Sequence, residues 1–531
     1  MALSTCDVLL NLIPSLQVDI LVRWLSLKDV GRLDSAICST QHRELLLNIF
    51  KEEFCVFQEP STSNFGQFLW INHRHIKMAD VEVPRRPFNN PTLHPTFFEV
   101  TGKYLRRLNA SSMLDIVEAD NANNILSEQL TMLRICVNIR KLELGCVDLR
   151  SLDIGPLLAT FPHLSHLDLS RCKNVSSEVV LSLTGQAKNL QVLDLTNCHL
   201  SGVMNVDLLV PNYTIHTLRL GTVKDTPAFV SFALQCKALR SLYVEGIQLS
   251  DVCRLLTQCP TLRVLSARVE PETHSTLLTA EEADTLIPLI QKIEYLHLYN
   301  LSGRYVADEQ LLNIVANSPH LKALVVTFAT HPDGTALDDI LNAAMSVPVG
   351  SSGHQLNTLY VESITSATLQ SVVHCCPQLT TLVCRNARAG ADIHDLMTII
   401  GQSAITSLSL LSYKVIPSAD LLHLHNLSQL QLCCYVLTDN DVTGIVNRNP
   451  RLRVLSLTQA PQLTKKSVLY IVKNCKDLKA LKFNNIDPTV PYYKQTMENT
   501  RLLKDALLFF RPNLKKLDIH LVCDISSDKL Y

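Results

Sequence analysis

Histidine and cysteine side chains, which bind metal ions and can act as nucleophiles, lie close together at three places in the sequence. The three groups are His73-x-His75, His423-x-His425, and His374-Cys375-Cys376 followed by Cys384. A structural zinc site needs four cysteine, histidine or acidic ligands at short spacings. Neither histidine pair has a cysteine or an acidic pair at such a spacing, so the sequence predicts no metal site there.

Other sequence signatures of catalysis are absent as well. No segment matches the glycine-rich phosphate loop, and there is no nucleophile elbow. Because Ser/His/Asp and Cys/His sites assemble only in the folded chain, an enzymatic role as a hydrolase or a GTPase regulator stays open. The sequence favours a protein without catalytic residues, metal or cofactor.

The elements that position these residues belong to a long chain of 531 residues, roughly three to four times a typical domain. A single compact core is therefore not expected unless the chain is a repeat array. Hydrophobic residues make up 47% and charged residues 18%, which excludes a disordered protein. The 48 basic and 49 acidic residues give a net charge of −1, which favours neither nucleic acid nor a membrane as the partner.

The beginning of the chain carries no sign of export. No Lys or Arg precedes Arg23, and Asp7, Pro14 and Asp19 interrupt the apolar stretch. We expect neither a secretory signal nor a membrane span here. The 17 cysteines are then expected to be reduced thiols of a cytoplasmic or nuclear protein.

A repeat organises most of the chain. The pattern Leu-x-x-Leu-x-Leu, with some Ile or Val replacements, recurs every roughly 26 residues. A weaker copy begins at Leu105, and the clear copies begin at Ile139, Leu164, Leu190, Ile215, Leu239, Leu262, Ile293, Leu321, Leu356, Leu379, Ile405, Leu427, Leu452, Leu478 and Leu514.

Each unit is predicted to contain a strand, a turn and a helix. In the unit that begins at Leu164, Leu167 and Leu169 are two residues apart and therefore share one face of a strand. The following segment, 175–183, has capping residues and helical apolar spacing. Stacked units bury their leucines together, which predicts a parallel ladder inside and helices outside.

Cysteines recur at two positions of the unit. Four stand three residues before the first Leu, and two stand eight residues after it: Cys236, Cys259, Cys376 and Cys475, then Cys172 and Cys198. Buried thiols that pack tight turns explain these positions, including that of Cys376 in the His374 group. Segments 437–455 and 463–478 resemble the cysteine-containing leucine-rich repeats of F-box proteins, and this resemblance covers roughly residues 105–520. The solenoid with its C-terminal cap is expected over residues 105–531.

Residues 8–50 do not follow the repeat. They are predicted to form a short apolar helix, a turn around Ser26, a second helix from near Asp29 and a third over 41–50. This module resembles an F-box, whose pattern is Leu-Pro, a helix ending in Leu, then Asp-Leu and Val-Cys. The matching positions are Ile13-Pro14, Leu25, Asp29-Val30 and Ile37-Cys38.

The module departs from the F-box pattern at three places. The acid after the proline is displaced to Asp19, one residue is inserted before Cys38, and Gln41 replaces the usual tryptophan. A helical cap that protects the first repeat is the alternative interpretation. Residues 51–104 would join the module to the array, with strands over 68–71 and 76–83 and a proline-rich loop over 84–95.

The residue between the second and third Leu of each unit is predicted on the exposed inner strand face. This row reads Glu143, Asp168, Asp194, Arg219, Tyr243, Ser266, His297, Val325, Tyr360, Val383, Ser409, Gln431, Ser456, Lys482 and Asp518. Because tyrosine is enriched at binding hot spots, we expect a target protein on a patch formed by Tyr243, Tyr295, His297, Tyr299 and Tyr360. Residues 451–531 carry 15 basic against 7 acidic residues, and Lys482 and Lys516 are their members on the inner face.

The resemblance implies a substrate-recognition subunit of an SCF-type ubiquitin ligase, acting in proteasomal degradation. The N-terminal module would bind the adaptor of the cullin complex through Pro14, Leu25, Asp29, Val30 and Ile37, and the repeats would hold an unidentified target protein. The expected fold is α/β, a horseshoe-shaped leucine-rich-repeat solenoid preceded by a small all-α module. The alternative function is a leucine-rich interaction scaffold without a ligase role.

Overall fold

The computed structural model describes 19 segments of the chain. They are residues 12–37, 39–58, 65–82, 95–111, 132–145, 149, 154–176, 179–180, 183, 187–198, 200–201, 211–222, 226–269, 280–299, 308–327, 354–385, 393–411, 415–484 and 516–520. Two compact units divide the chain: Met1–Ile247 with Thr257–Leu262, and Gln248–Leu256 with Arg263–Tyr531. Each unit is described separately below.

Three helices open the described chain, in agreement with the predicted module. They are α1 Pro14–Asp19, which continues as a π-helical turn Ile20–Trp24, then α2 Leu27–Ala36 and α3 Thr40–Lys51. The first helix ends at Trp24 with Leu25 as its C-cap, and Ser26 caps the second, because its Oγ accepts a hydrogen bond from the backbone N–H of Asp29 at 3.2 Å. The predicted turn at Ser26 is therefore confirmed.

The rest of the first unit alternates short strands with helices. The strands are β1 Val56–Phe57, β2 Lys77–Met78, β3 Asp80–Glu82, β4 Arg107–Asn109, β5 Lys141–Glu143, β6 His166–Asp168, β7 Val175–Ser176, β8 Val192–Leu195, β9 Leu200–Ser201, β10 Thr217–Thr222 and β11 Ser241–Ile247. The helices are α4 Phe65–His73, α5 Pro95–Thr101 with a 3-10 turn Gly102–Tyr104, α6 Ile154–Ala159 and α7 Thr226–Gln235.

Further along the chain the alternation is more regular. The helices are α8 Leu249–Gln258, α9 Ala280–Ile290, α10 Asp308–Asn317, α11 Ser366–Cys375, α12 Ile393–Gln402, α13 Ser418–Leu421, α14 Asp439–Arg448 and α15 Lys465–Asn474. The strands are β12 Val264–Val269, β13 Tyr295–Tyr299, β14 Ala323–Thr327, β15 Thr358–Val361, β16 Thr381–Cys384, β17 Ser407–Leu410, β18 Gln429–Cys433, β19 Val454–Thr458, β20 Ala480–Asn484 and β21 Lys516–His520.

The strands of each unit form a parallel ladder. In the first unit the order is β3-β4-β5-β6-β8-β10-β11, and in the second unit β12 to β21 pair in chain order. The middle leucines of successive repeats pair directly, as Leu167 with Leu193 and Leu430 with Leu455. This is the leucine-rich-repeat solenoid that the sequence predicts.

Repeated leucines and cysteines fill the core between strands and helices. Leu164, Leu167 and Leu169 are all buried, and so are the cysteines at both recurring positions. The two thiols of the later position also form hydrogen bonds: Cys172 donates to Leu144 O at 3.2 Å and Cys198 donates to Leu169 O at 2.9 Å. Each thiol thus ties its turn to the preceding repeat, which explains why a small donor recurs there.

Two local predictions are wrong. Residues 68–71 belong to helix α4, because aromatic residues that favour strands are here packed on a helix beside Phe97 and the N-terminal module. Val175 and Ser176 form a short strand that pairs with Leu200 and Ser201, instead of beginning a helix. The prediction of strands within 76–83 is confirmed, and Asp80–Glu82 already joins the ladder of the first unit.

Candidate protein-binding site

The strand register pairs residues of the predicted row with one another, but several of them are buried instead of exposed: Ser266, His297, Val325, Val383, Ser409 and Ser456. In the first unit Glu143 pairs with Asp168, Asp168 with Asp194, and Arg219 with both Asp194 and Tyr243. All five side chains are half-buried. Neighbouring parallel strands lie roughly 4.8 Å apart, so these side chains form one continuous strip on the strand face.

Acidic and amide side chains of this row also shape the strand ends. One oxygen of each accepts a hydrogen bond from the backbone N–H two residues later: Asp168 from Ser170 at 2.7 Å, Asp194 from Thr196 at 2.9 Å and Asn109 from Ser111 at 3.1 Å. Such Asx-type turns fix the direction of the side chain. The aspartates of the row therefore have a structural role at the ends of their strands.

Arg219 connects the acidic part of the row to its tyrosine. Its Nη1 lies 3.5 Å from Asp194 Oδ2, and its guanidinium carbon lies 5.0 Å from the centre of the Tyr243 ring. This cation–π contact links the two neighbouring side chains. Burial raises the pKa of Asp194 above its ordinary value, although hydrogen bonds from Thr196 act in the opposite direction.

The other end of the strip is a network of paired charges. Arg107 Nη2 lies 3.2 Å and Lys141 Nζ 3.0 Å from the same oxygen of Glu143, and Arg107 Nη1 lies 3.5 Å from Asp80. Burial raises the pKa of Asp80, and Arg107 partly offsets that effect. These opposite charges lie close enough to neutralise one another.

In the second unit the structure buries two of the residues predicted to bind a target. Tyr295 has no exposed surface, and His297 is also buried, with its Nδ1 3.0 Å from Ser266 Oγ. Tyr295 stands between Val264 and Ala323 in the ladder, both of them buried. Its ring is therefore buried, and the expectation that it is exposed on the inner face is wrong.

The remaining residues of the predicted patch have different positions. Tyr360 is half-buried on β15, and Lys482 is exposed on β20. Tyr299 lies on β13 and Lys516 on β21, but their side chains are outside the described ones. Tyr243 belongs to the first unit and these residues to the second. The available candidates are thus Tyr243 in one unit, and Tyr360 with Lys482 in the other.

The residues predicted to bind an adaptor also differ in their exposure. Val30 and Ile37 are buried in the helical module, whereas Leu25 and Asp29 are half-buried. Pro14 begins α1, and its side chain is outside the described ones. Because Val30 and Ile37 fill the core of the module, a partner would contact other apolar side chains.

Those other side chains are exposed on the first helix. Ile13, Leu16 and Trp24 are 67%, 43% and 78% exposed, while Val18 and Leu21 of the same helix are buried. The helix therefore has apolar residues on two faces, and only one face packs on the module. The signal in the sequence was an apolar stretch too continuous for one amphipathic face.

The module is attached firmly to the segment that follows it. Trp70 Nε1 and Arg74 Nε both donate to Asp34 Oδ2 at 2.9 Å. The buried Lys77 ammonium donates to the carbonyls of Phe50 and Glu52 at 2.8 Å each, at the end of α3. Burial lowers the pKa of Lys77. These contacts hold α2 and the end of α3 against α4 and β2.

A cleft of about 910 Å³ lies between α1 and the first repeats. Its two acids are already paired, Asp19 with Arg23 at 2.9 Å and Glu53 with Lys103 at 3.3 Å. Among the described residues no acid pairs with its remaining arginines, Arg106 and Arg140, which precede the adjacent strands β4 and β5. The cleft therefore has a net positive charge that suits an acidic segment.

A group of possible metal ligands was missed by sequence spacing. The structure brings together His394, Asp420 and His423, and their ligand atoms all lie within 4.8 Å of one another. Only His423 belongs to a pair that the sequence singles out. His394 precedes it by a whole repeat, so no motif of fixed spacing could connect the two.

No family model and no curated protein matches the chain. Solved structures do match it. One match is a chain in the crystal structure of the Rad7 and Elc1 complex in yeast, with 16% sequence identity and a TM-score of 0.41. The match covers 67% of this chain and 87% of that chain. The TLR13–ssRNA13 complex is also 16% identical with a TM-score of 0.41, and covers 84% of this chain and 62% of that chain. In the described part of the chain no helix is long and apolar enough to cross a membrane.

Proposed function

We propose that the chain is a non-catalytic receptor subunit, which binds a target protein on its repeats and the adaptor of an SCF-type ubiquitin ligase through its N-terminal module. The observation that carries the proposal is the exposure of three large apolar side chains on and beside α1, Ile13, Leu16 and Trp24. They lie on a three-helix module whose sequence resembles an F-box. A mere cap for the ladder would bury such side chains instead of presenting them.

The repeats supply the second binding surface. Arg219 and Tyr243 give the strip of the first unit a rigid aromatic group and a cation, the residue types enriched at binding hot spots. Tyr360 and Lys482 are the corresponding groups of the second unit. Catalysis would belong to other subunits of the cullin complex, and this chain would raise the local concentration of the target near them.

A leucine-rich scaffold without a ligase role is the second candidate. The departures of the module from the F-box pattern favour it, since Asp19, Cys38 and Gln41 stand where the family pattern differs. The strip and the cleft would serve a scaffold equally well. Adaptor binding is therefore the property that separates the two functions, and the compartment, cytoplasm or nucleus, follows from the partners.

The full-length chain should be tested for binding to the purified adaptor, with the double variant Leu16→Asp and Trp24→Asp as the probe of the interface. Both side chains are exposed, so the variant is expected to fold and to lose adaptor binding at least tenfold. The matched control is Leu469→Asp, because Leu469 is an exposed leucine at 51% on α15 of the second unit. Absence of binding by the parent chain, or equal binding by the double variant, would overturn the ligase role and leave the scaffold.

A further inference from the structure

Two imidazoles and a carboxylate converge on the helical side of the second unit. His394 Nδ1 lies 2.7 Å from Asp420 Oδ1, and the rings of His394 and His423 stand edge to face with centres 5.3 Å apart. Asp420 is only 5% exposed, His423 is half-buried and the His394 side chain is 61% exposed. The carboxylate of the group is therefore buried, and the His394 ring is accessible to solvent.

Neighbouring repeats position the three residues. His394 is the second residue of α12, Asp420 lies in the short helix α13, and His423 follows the end of that helix. Gly401 lets α12 approach closely, because a Cβ at this position would lie 2.4 Å from the carbonyl oxygen of His423. The same oxygen lies 2.7 Å from His425 Nδ1 and accepts its N–H, which fixes the turn that carries His423.

The separations fit a metal ion. Nitrogen and oxygen donors lie about 2.1 Å from a tetrahedral zinc ion, which places them roughly 3.4 Å from one another. The donor atoms here are separated by distances from 2.7 Å to at most 4.8 Å, a range that includes this spacing.

We propose that His394, Asp420 and His423 form a binding site for Zn²⁺. Two imidazole nitrogens and one carboxylate oxygen are ligands that zinc accepts readily, and three protein ligands leave a fourth position for water or for a side chain of a bound protein. The ion would join α12 to α13 and so brace two consecutive repeats. In a repeat protein, such a brace adds directly to the stability of one repeat interface.

The site can be tested on the full chain, freed of metal and titrated with ZnCl₂ by calorimetry and by thermal unfolding. We expect one Zn²⁺ site that raises the unfolding temperature of the parent chain. His394→Ala should lower the affinity of this site at least tenfold while leaving the metal-free protein folded, because the His394 side chain is largely exposed. His320→Ala is the matched control, since His320 is an exposed histidine of the same unit that lies outside the group.

Cobalt distinguishes this site from the cysteines. CoCl₂ bound to His394, Asp420 and His423 gives visible absorption without the thiolate charge-transfer band in the near ultraviolet. That band, or equal zinc affinity of the parent chain and of His394→Ala, would overturn the proposal, as would the absence of any zinc-dependent shift in unfolding temperature. His423→Ala serves as a second variant and should behave like His394→Ala.

Discussion

The indole N–H of Trp70 donates a hydrogen bond of 2.9 Å to the carboxylate of Asp34. Arg74 donates to the same oxygen at 2.9 Å, and Arg43 donates to the backbone carbonyl of Asp34 at the same distance. Asp34 is buried, so this carboxylate is the centre from which the second helix of the module is held against helix α4. The module and the following segment are therefore expected to unfold together.

Replacement of Asp34 by Ala should destabilise the first unit by about 2–3 kcal/mol, because it removes a buried acceptor from a tryptophan and an arginine. The measurement is urea unfolding followed by tryptophan fluorescence, which reports on Trp24 and Trp70 alone. Glu53→Ala is the control, since Glu53 forms an exposed ion pair worth less than about 1 kcal/mol. A loss for Asp34→Ala no larger than that of the control would refute the central role of Asp34.

The repeat fold could be predicted because its signal is redundant. Each leucine triplet predicts the same strand, turn and helix. Alignment of the repeats places residues such as Asp168 and Asp194 in one row, and the strand register pairs them. Helix α4 could not be predicted in this way. Its Phe-Leu-Trp-Ile run favours a strand locally, and the contact of Trp70 with Asp34, 36 residues earlier, is a tertiary effect.

The binding residues were only partly predictable for a related reason. Periodicity assigns a residue to a strand face, and Tyr243 and Tyr295 were assigned correctly to that face. It does not say which part of the face is covered. Tyr295 is buried and Tyr243 is half-buried, although both occupy inner-face positions. Val30 and Ile37 were similarly assigned to the module, but a short helix pattern does not distinguish its core from its docking face.

Asp29, a predicted adaptor-binding residue, is expected to make the module sensitive to acid. Its carboxylate accepts a hydrogen bond of 2.6 Å from Ser26 Oγ and a second of 3.1 Å from Arg32, and the bond from Ser26 is the main reason that its pKa is lowered. A folded-state pKa below the unfolded value means that the stabilisation is complete above about pH 4. It is lost as the pH falls through the folded-state pKa.

The unfolding temperature of Asp29→Asn should therefore lie below that of the parent chain at neutral pH, and the gap should close as the pH is lowered. The closing gap is the diagnostic result, because a loss of packing alone would persist at all pH values. Asp395→Asn provides the control, as Asp395 also lies in the first turn of a helix, α12. A gap that widened on acidification would contradict the assigned direction of the pKa shift.

Gly401 and Gly444 lie inside helices of the second unit, and their replacement by Ala should have opposite effects. At Gly401 the new methyl carbon would lie 2.4 Å from the carbonyl oxygen of His423, whereas at Gly444 it would lie 3.4 Å from the Cδ2 atom of Leu422, an ordinary contact. Gly401→Ala must push α12 away from the following turn, at a cost of about 1–3 kcal/mol. Gly444→Ala should be neutral or stabilising by up to about 1 kcal/mol, since alanine favours the helix.

Thermal unfolding of the two alanine variants compares them within one unit and one type of element. Because Gly401 sets the position of His423, its replacement should also weaken zinc binding, while Gly444→Ala should bind zinc like the parent chain. If both variants had the same unfolding temperature, the close contact inferred between α12 and the backbone of His423 would be contradicted. If Gly401→Ala were destabilised but bound zinc normally, the close contact of α12 with His423 would be supported and the role of His423 as a zinc ligand would be contradicted.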